Sequence, residues 1–145
     1  MKHIEITEIS EKDITEIVDI WYEVSLQAHA FVPSDYWKKN KDQMISKYIP
    51  MSETFKAADG GNILGFISLL DEYLAAIFVK SEYQDRGIGS LLLNYAMSIR
   101  NKLQLKVFCK NIKSVEFYKS KGFSVISESK DNETGEDELV MQWHK

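Results

Sequence analysis

The residues of this chain best suited to chemistry lie in Gln84-Asp85-Arg86-Gly87-Ile88-Gly89-Ser90. An apolar run, Leu74 to Val79, leads into them, and a helical pattern from Ile88 to Lys102 follows. A strand that breaks at two closely spaced glycines and resumes as a helix builds an anion pocket. Glycine permits a left-handed turn and lets a ligand approach the backbone. The unpaired N–H groups of the first helical turn then face that ligand, aided by the helix dipole. Gln84 to Ser90 therefore reads as a pyrophosphate cradle built from main-chain amides, with the Arg86 guanidinium and the Ser90 hydroxyl as further donors. Glycines also occur for turn geometry alone, so the reading needs support elsewhere. The stretch lacks the third glycine of a dinucleotide fingerprint, and no Gly-Lys-Ser/Thr follows, which excludes a P-loop.

Support comes from a second cluster: Asn111, then Phe117-Tyr118, then Gly122-Phe123. The pattern Gln84-x-x-Gly87-x-Gly89, followed by Asn111 and by Phe117-Tyr118-x-x-x-Gly122-Phe123, resembles the GNAT N-acetyltransferase superfamily, which binds acetyl-coenzyme A. The likeness is specific over residues 73 to 123. It implies a mixed α/β fold in which two parallel strands splay apart and the cofactor lies in the gap. It implies acetyl-CoA as co-substrate. The backbone of Ile77, Phe78 and Val79 would hold the pantetheine arm and the acetyl carbonyl. Asn111 would bond to the cofactor, although asparagine at a strand-to-helix junction is also a good N-cap.

Moving an acetyl group from a thioester to an amine needs a neutral amine, a stabilised carbonyl oxygen and a proton for the departing thiolate. The resemblance makes Tyr118 the general acid. A phenol titrates near ~10 and a thiol near ~8.5, so the phenol holds its proton until a thiolate forms beside it. Two residues compete for the base. Glu72 stands at the start of the central strand, where some relatives keep a carboxylate, and Tyr73 beside it would position substrate. His29 follows the first helical pattern, in a segment that walls the acceptor site in this fold, and it titrates near neutrality. The acceptor would be a primary amine: a protein lysine, an N-terminus or a small amine. The alternative is a non-catalytic acyl-CoA-binding or sensing module, which would need the cradle but not the phenol.

The chain has 145 residues, a formal charge of −4, 44% hydrophobic and 28% charged residues. That length suits one domain, 1–145, with one sizeable core. The acidic balance and the lack of a basic stripe argue against a nucleic-acid partner. No apolar run approaches a membrane span, the N-terminus is too polar for a signal peptide, and the single Cys109 suits a reducing, cytoplasmic setting. No His, Cys or carboxylate spacing resembles a metal site.

The supporting elements follow from periodicity. His3 to Thr7 alternates as a first strand. Ser10 and Asp13 form a capping-box-like start to a helix bearing Ile14, Ile17, Val18, Trp21 and Val24. A second helix is expected from Ser34 to about Tyr48, ended by Pro50. Asp59-Gly60-Gly61-Asn62 marks a hairpin, with Gly65 beside a bulge in the returning strand. Tyr73 to Val79 reads as a central strand, and Leu105 to Cys109 as its parallel neighbour, paired near Val79 and Val107. A short helix, Ile112 to Lys121, ends at Gly122. Leu139, Met141 and Trp143 alternate in a last strand, expected at an exposed sheet edge where a second copy would pair, so the chain reads as a monomer or homodimer. The sum is a mixed six- to seven-stranded sheet with helices on both faces.

Overall fold

The computed structural model describes residues 3–145. Strand β1 (Ile4–Glu8) leads into α1 (Ile14–Ala28) through one short turn. The expected cap is there in part: the Asp13 carboxylate accepts the Ser10 N–H at 3.0 Å, and it also pairs with Lys56 at 2.9 Å. Helix α2 (Ser34–Gln43) continues through a π-type turn, Met44–Tyr48, into a last helical turn α3 (Ile49–Met51). The helix thus outlasts its expected stop at Pro50. Proline cannot donate to the helical ladder, and the turn just before it is the widened one.

Strands β2 (Glu53–Asp59), β3 (Asn62–Leu70) and β4 (Tyr73–Val79) form a meander. Helix α4 (Ile88–Ile99), β5 (Lys102–Phe108), α5 (Ile112–Ser120), β6 (Ser124–Lys130) and β7 (Asp137–His144) follow. They make one seven-stranded sheet in the order β1-β2-β3-β4-β5-β7-β6. Helices α1 and α2 cover one face through Ile17, Trp21, Val24 and Trp37 against Phe66 and Ala76. Helices α4 and α5 cover the other through Leu92, Leu93, Ala96 and Val115 against Ile67, Leu103, Leu105 and Met141. Each such side chain contributes about 1.5–3 kcal/mol when fully withdrawn from water.

Two expectations about the sheet need correction. Strands β4 and β5 are parallel, but they pair at Tyr73 and Gln104, not near Val79 and Val107. The cause lies in β4. Its register with β3 shifts between Ser68 and Leu69, leaving Ala75 with no residue opposite. Such a bulge bends and twists its strand, and β4 swings away from β5 beyond it. Gly65 allows this path, since a Cβ there would stand 2.6 Å from the Phe78 carbonyl oxygen. Second, β7 is not an edge. It lies between β5 and β6, and Met141 is fully buried. The edge is β6, all seven residues of which are exposed.

Candidate active site

The gap between β4 and β5 opens into a cleft of 1130 Å³. Pockets for drug-sized ligands measure about 300–1,000 Å³, so the gap takes a larger molecule. Ile77, Phe78 and Val79 line it, as do Gln84, Asp85, Gly87, Ile88, Gly89 and Ser90 from the bend beyond β4. Arg86 does not; its guanidinium stands 5.8 Å over the Tyr83 ring, outside the cleft.

The bend is held by Gln84, whose Nε2 donates to the Val79 carbonyl at 3.0 Å. Asp85 and Gly87 both take positive φ, 63° and 84°. Gly87 is the N-cap of α4 and supplies no side chain, so the first-turn amides of the helix carry no side-chain cap. Orphan donors at a helix start, opening on a cleft, are what an anion requires. A Cβ on Gly89 would reach only ordinary contact with Phe117, at 3.5 Å. The protein itself therefore does not demand glycine there, whereas a close backbone approach by a ligand would.

Across the gap, Asn111 caps α5: its Oδ1 accepts the Ser114 N–H at 3.3 Å. Its Nδ2 faces His29 Nε2 at 3.1 Å. Both readings of Asn111 are thus compatible, since it caps the helix and lines the cleft. Tyr118 lies in the last turn of α5, 8% exposed, against Phe117 and Phe123. The helix closes behind it with Gly122 at φ 94° and the Phe123 N–H bonded to the Tyr118 carbonyl at 3.0 Å. Burial, with Tyr73 nearby as a lesser cause, pushes the Tyr118 phenol well above its usual range. It keeps its proton at any working pH.

The expected base candidates fare differently. Glu72 sits exposed in the β3–β4 turn, outside the cleft, where its carbonyl accepts the Gln104 N–H at 2.9 Å. His29 lines the cleft, but it is boxed by aromatic rings: stacked on Trp37 at 5.2 Å and edge-on to Phe31 and Phe108. Burial pulls its value down to about 4, so it is neutral at pH 7 and a weak proton acceptor. Its Nδ1 is buried without a partner among the described residues. Tyr73 lines the cleft.

Other lining residues carried no signal in the sequence. Ala75, the bulge residue, is exposed on the cleft wall. The far end is lined by Tyr36 and Tyr48 from the α2 arm, and by Asp131, Glu133 and Glu138 from the β6–β7 hairpin. Desolvation, reinforced by Glu133 and Asp131, drives the Tyr36 phenol above its usual range. A polar turn such as 130–136 has no periodicity to read. Among the described residues no group of His, Cys, Asp or Glu is arranged to hold a metal ion.

A sheet parted at its one parallel pair, beside an uncapped helix start, is the architecture of acyl-CoA-using transferases. The family profile described as acetyltransferase (GNAT) domain matches residues 22–145. The chain belongs to that family, and acetyl-CoA is its co-substrate. It is 28% identical over 139 residues, 95% of each chain, to the peptidyl-lysine N-acetyltransferase YiaC of Escherichia coli K12. It is 26% identical over 121 residues, 83% of each, to the peptidyl-lysine N-acetyltransferase YjaB of Salmonella typhimurium. The solution structure of apo-form YjaB from Escherichia coli matches it with a TM-score of 0.86 over 97% of both chains, at 25% identity. The PaiA N-acetyltransferase of Thermoplasma acidophilum, solved with coenzyme A, shares the fold at a TM-score of 0.82 and 20% identity, over 99% of both chains.

Proposed function

We propose that the chain transfers the acetyl group of acetyl-CoA directly to the side-chain amine of a protein lysine, with Tyr118 protonating the departing CoA thiolate. The observation that carries this reading is the single cleft that joins the uncapped start of α4 to a buried, protonated phenol. The diphosphate rests on the amides of Gly87 to Ser90. The pantetheine runs along the free backbone edge of Ile77 to Val79, and Asn111 flanks it. The acetyl carbonyl meets the unpaired backbone at the Ala75 bulge, which supplies the donor that a developing oxyanion needs. The thioester sulfur then lies by Tyr118. Lysine is the acceptor class for which the relatives YiaC and YjaB are named, and three carboxylates at the far end of the cleft suit a cation. A cytoplasmic setting accords with the lone Cys109 thiol.

The test pairs binding with turnover. Tyr118→Phe should bind coenzyme A as wild type does in calorimetry, and lose about 10²–10⁴-fold in kcat with a lysine peptide, as loss of a positioned acid does. Full turnover by the variant with cofactor bound would remove the acid. Tight coenzyme A binding with no acetylation of any amine would favour a sensing module.

A further inference from the structure

Glu138 is a buried carboxylate in the cleft. It is 9% exposed, and among the described carboxylates that line the cleft it alone is buried. Asp85, at the glycine bend, and Glu133 are exposed, and Asp131 is half-buried. Strand β7 places Glu138 opposite Phe108, at the end of β5 that has parted from β4. Leu139, Met141 and Trp143 pack towards α4 and α5, so strand alternation turns Glu138 to the other face, under α1 and α2. One oxygen takes the Ser129 hydroxyl at 3.3 Å, and among the described residues no cation pairs with it.

We propose that Glu138 is the catalytic base that takes the proton from the incoming ammonium. This rests on the acetyltransfer reading above. Tyr73 links it to the acid: the Tyr73 phenol is pushed up mainly by burial and then by Glu138, and it in turn raises Tyr118. All three side chains line the one cleft, Tyr118 from α5, Tyr73 from the start of β4 and Glu138 from β7. The other charged or titratable groups that line this end of the cleft with Glu138 are Lys106 from β5, His29 after α1, Tyr36 and Tyr48 from the α2 arm, and Asp131 and Glu133 from the hairpin turn, while Cys109, just past β5, feels its charge. Of these, His29 is neutral near pH 7.

The proton accounting closes. The ammonium gives one proton to a Glu138 oxygen, directly or through one water, and Glu138 later returns it to solvent. The freed amine nitrogen attacks the thioester carbon. Collapse of the adduct breaks the C–S bond, and the thiolate takes the Tyr118 proton. The second proton leaving the nitrogen restores the phenol, and the third stays on the amide.

The experiment is the pH dependence of kcat/KM for a blocked lysine peptide, for wild type, Glu138→Gln and Glu72→Gln. Glu138→Gln should bind coenzyme A normally and lose about 10²–10³-fold at pH 7. The deficit should shrink as the pH nears ~10, where free lysine becomes neutral and needs no base. Glu72→Gln should follow wild type throughout. A loss that stays constant with pH, or no loss at pH 7, overturns the assignment. If Glu138→Gln fails to bind coenzyme A, Glu138→Asp carries the test: it keeps the carboxylate and should retain the wild-type profile at a reduced rate, and a changed profile counts against the base. The outcome is separable from failure of the acetyltransfer reading, in which wild type itself transfers nothing to any amine.

Discussion

The two edges of β5 differ sharply. Towards β7 it is matched along its whole length, from Lys102 opposite His144 to Phe108 opposite Glu138. Towards β4 it keeps the single pair of Tyr73 and Gln104. A buried backbone amide or carbonyl without a partner costs about 1–3 kcal/mol, so a sheet does not abandon a ladder idly. The open edge shows where the fold expects polar groups from another molecule. The closed edge anchors the strand that must stay still while the other side accepts them. Ala75 and Tyr118 reach the cleft from β4 and α5, while Glu138 reaches it from β7, at the end of the closed ladder.

That contrast is open to attack in four ways, the largest expected effect first. His29, on the open side, is neutral in the fold at about 4, against 6.5 when unfolded. The unfolded chain binds the extra proton between those values, so the stability His29 contributes is full above pH 6.5 and lost as pH falls through 4. The loss is on the order of 3 kcal/mol. Urea titrations should show wild type losing stability over that window, with a shallower slope for His29→Phe.

Coenzyme A at about 100 times its Kd should stabilise the fold by about 2.7 kcal/mol. Hydrogen exchange should then slow at the amides of 76–79 and at the β5 amides that face β4, and change little at those that face β7. Equal slowing on both edges would erase the distinction. Gly65→Ala should lower stability by about 1–3 kcal/mol, read as a fall in Tm, because its Cβ would press on the Phe78 carbonyl and disturb the path of β4. Lys113→Ala breaks the ion pair with Asp85 across the cleft mouth, 3.3 Å long and well exposed. Such pairs contribute little, and Tm should not move measurably.

The sequence carried the elements better than their neighbours. The first helix, the hairpin at Gly60-Gly61, the glycine bend and the short helix ending at Gly122 were legible because each has a local signature: periodicity, turn residues or a cap. Partner choice between strands has none. The alternation of Leu139, Met141 and Trp143 announced a strand but not that it would slip between β5 and β6, with the more polar β6 left outside. The bulge at Ala75 was equally silent, since alanine marks no special conformation. In the candidate site, the glycine bend, Asn111 and Tyr118, which line the cleft, carry a motif. Glu72 was chosen for its place in the chain and stands outside the cleft, whereas Glu138 came into view only once β7 had been placed. The turn 130–136 has no periodicity of its own, and its place beside Tyr36, a residue about a hundred positions away in the chain, depends on the fold.

The widened turn at Met44–Tyr48 has a reach beyond its own five residues. An ordinary helix advances about 100° per residue, so removing one residue there to restore regular winding would rotate whatever follows by roughly that amount. Ile49, now buried, would lose its seat, and Tyr48 would leave the cleft wall. The winding of this arm therefore sets how Tyr48 meets the cleft, a wall that a one-residue deletion would reshape.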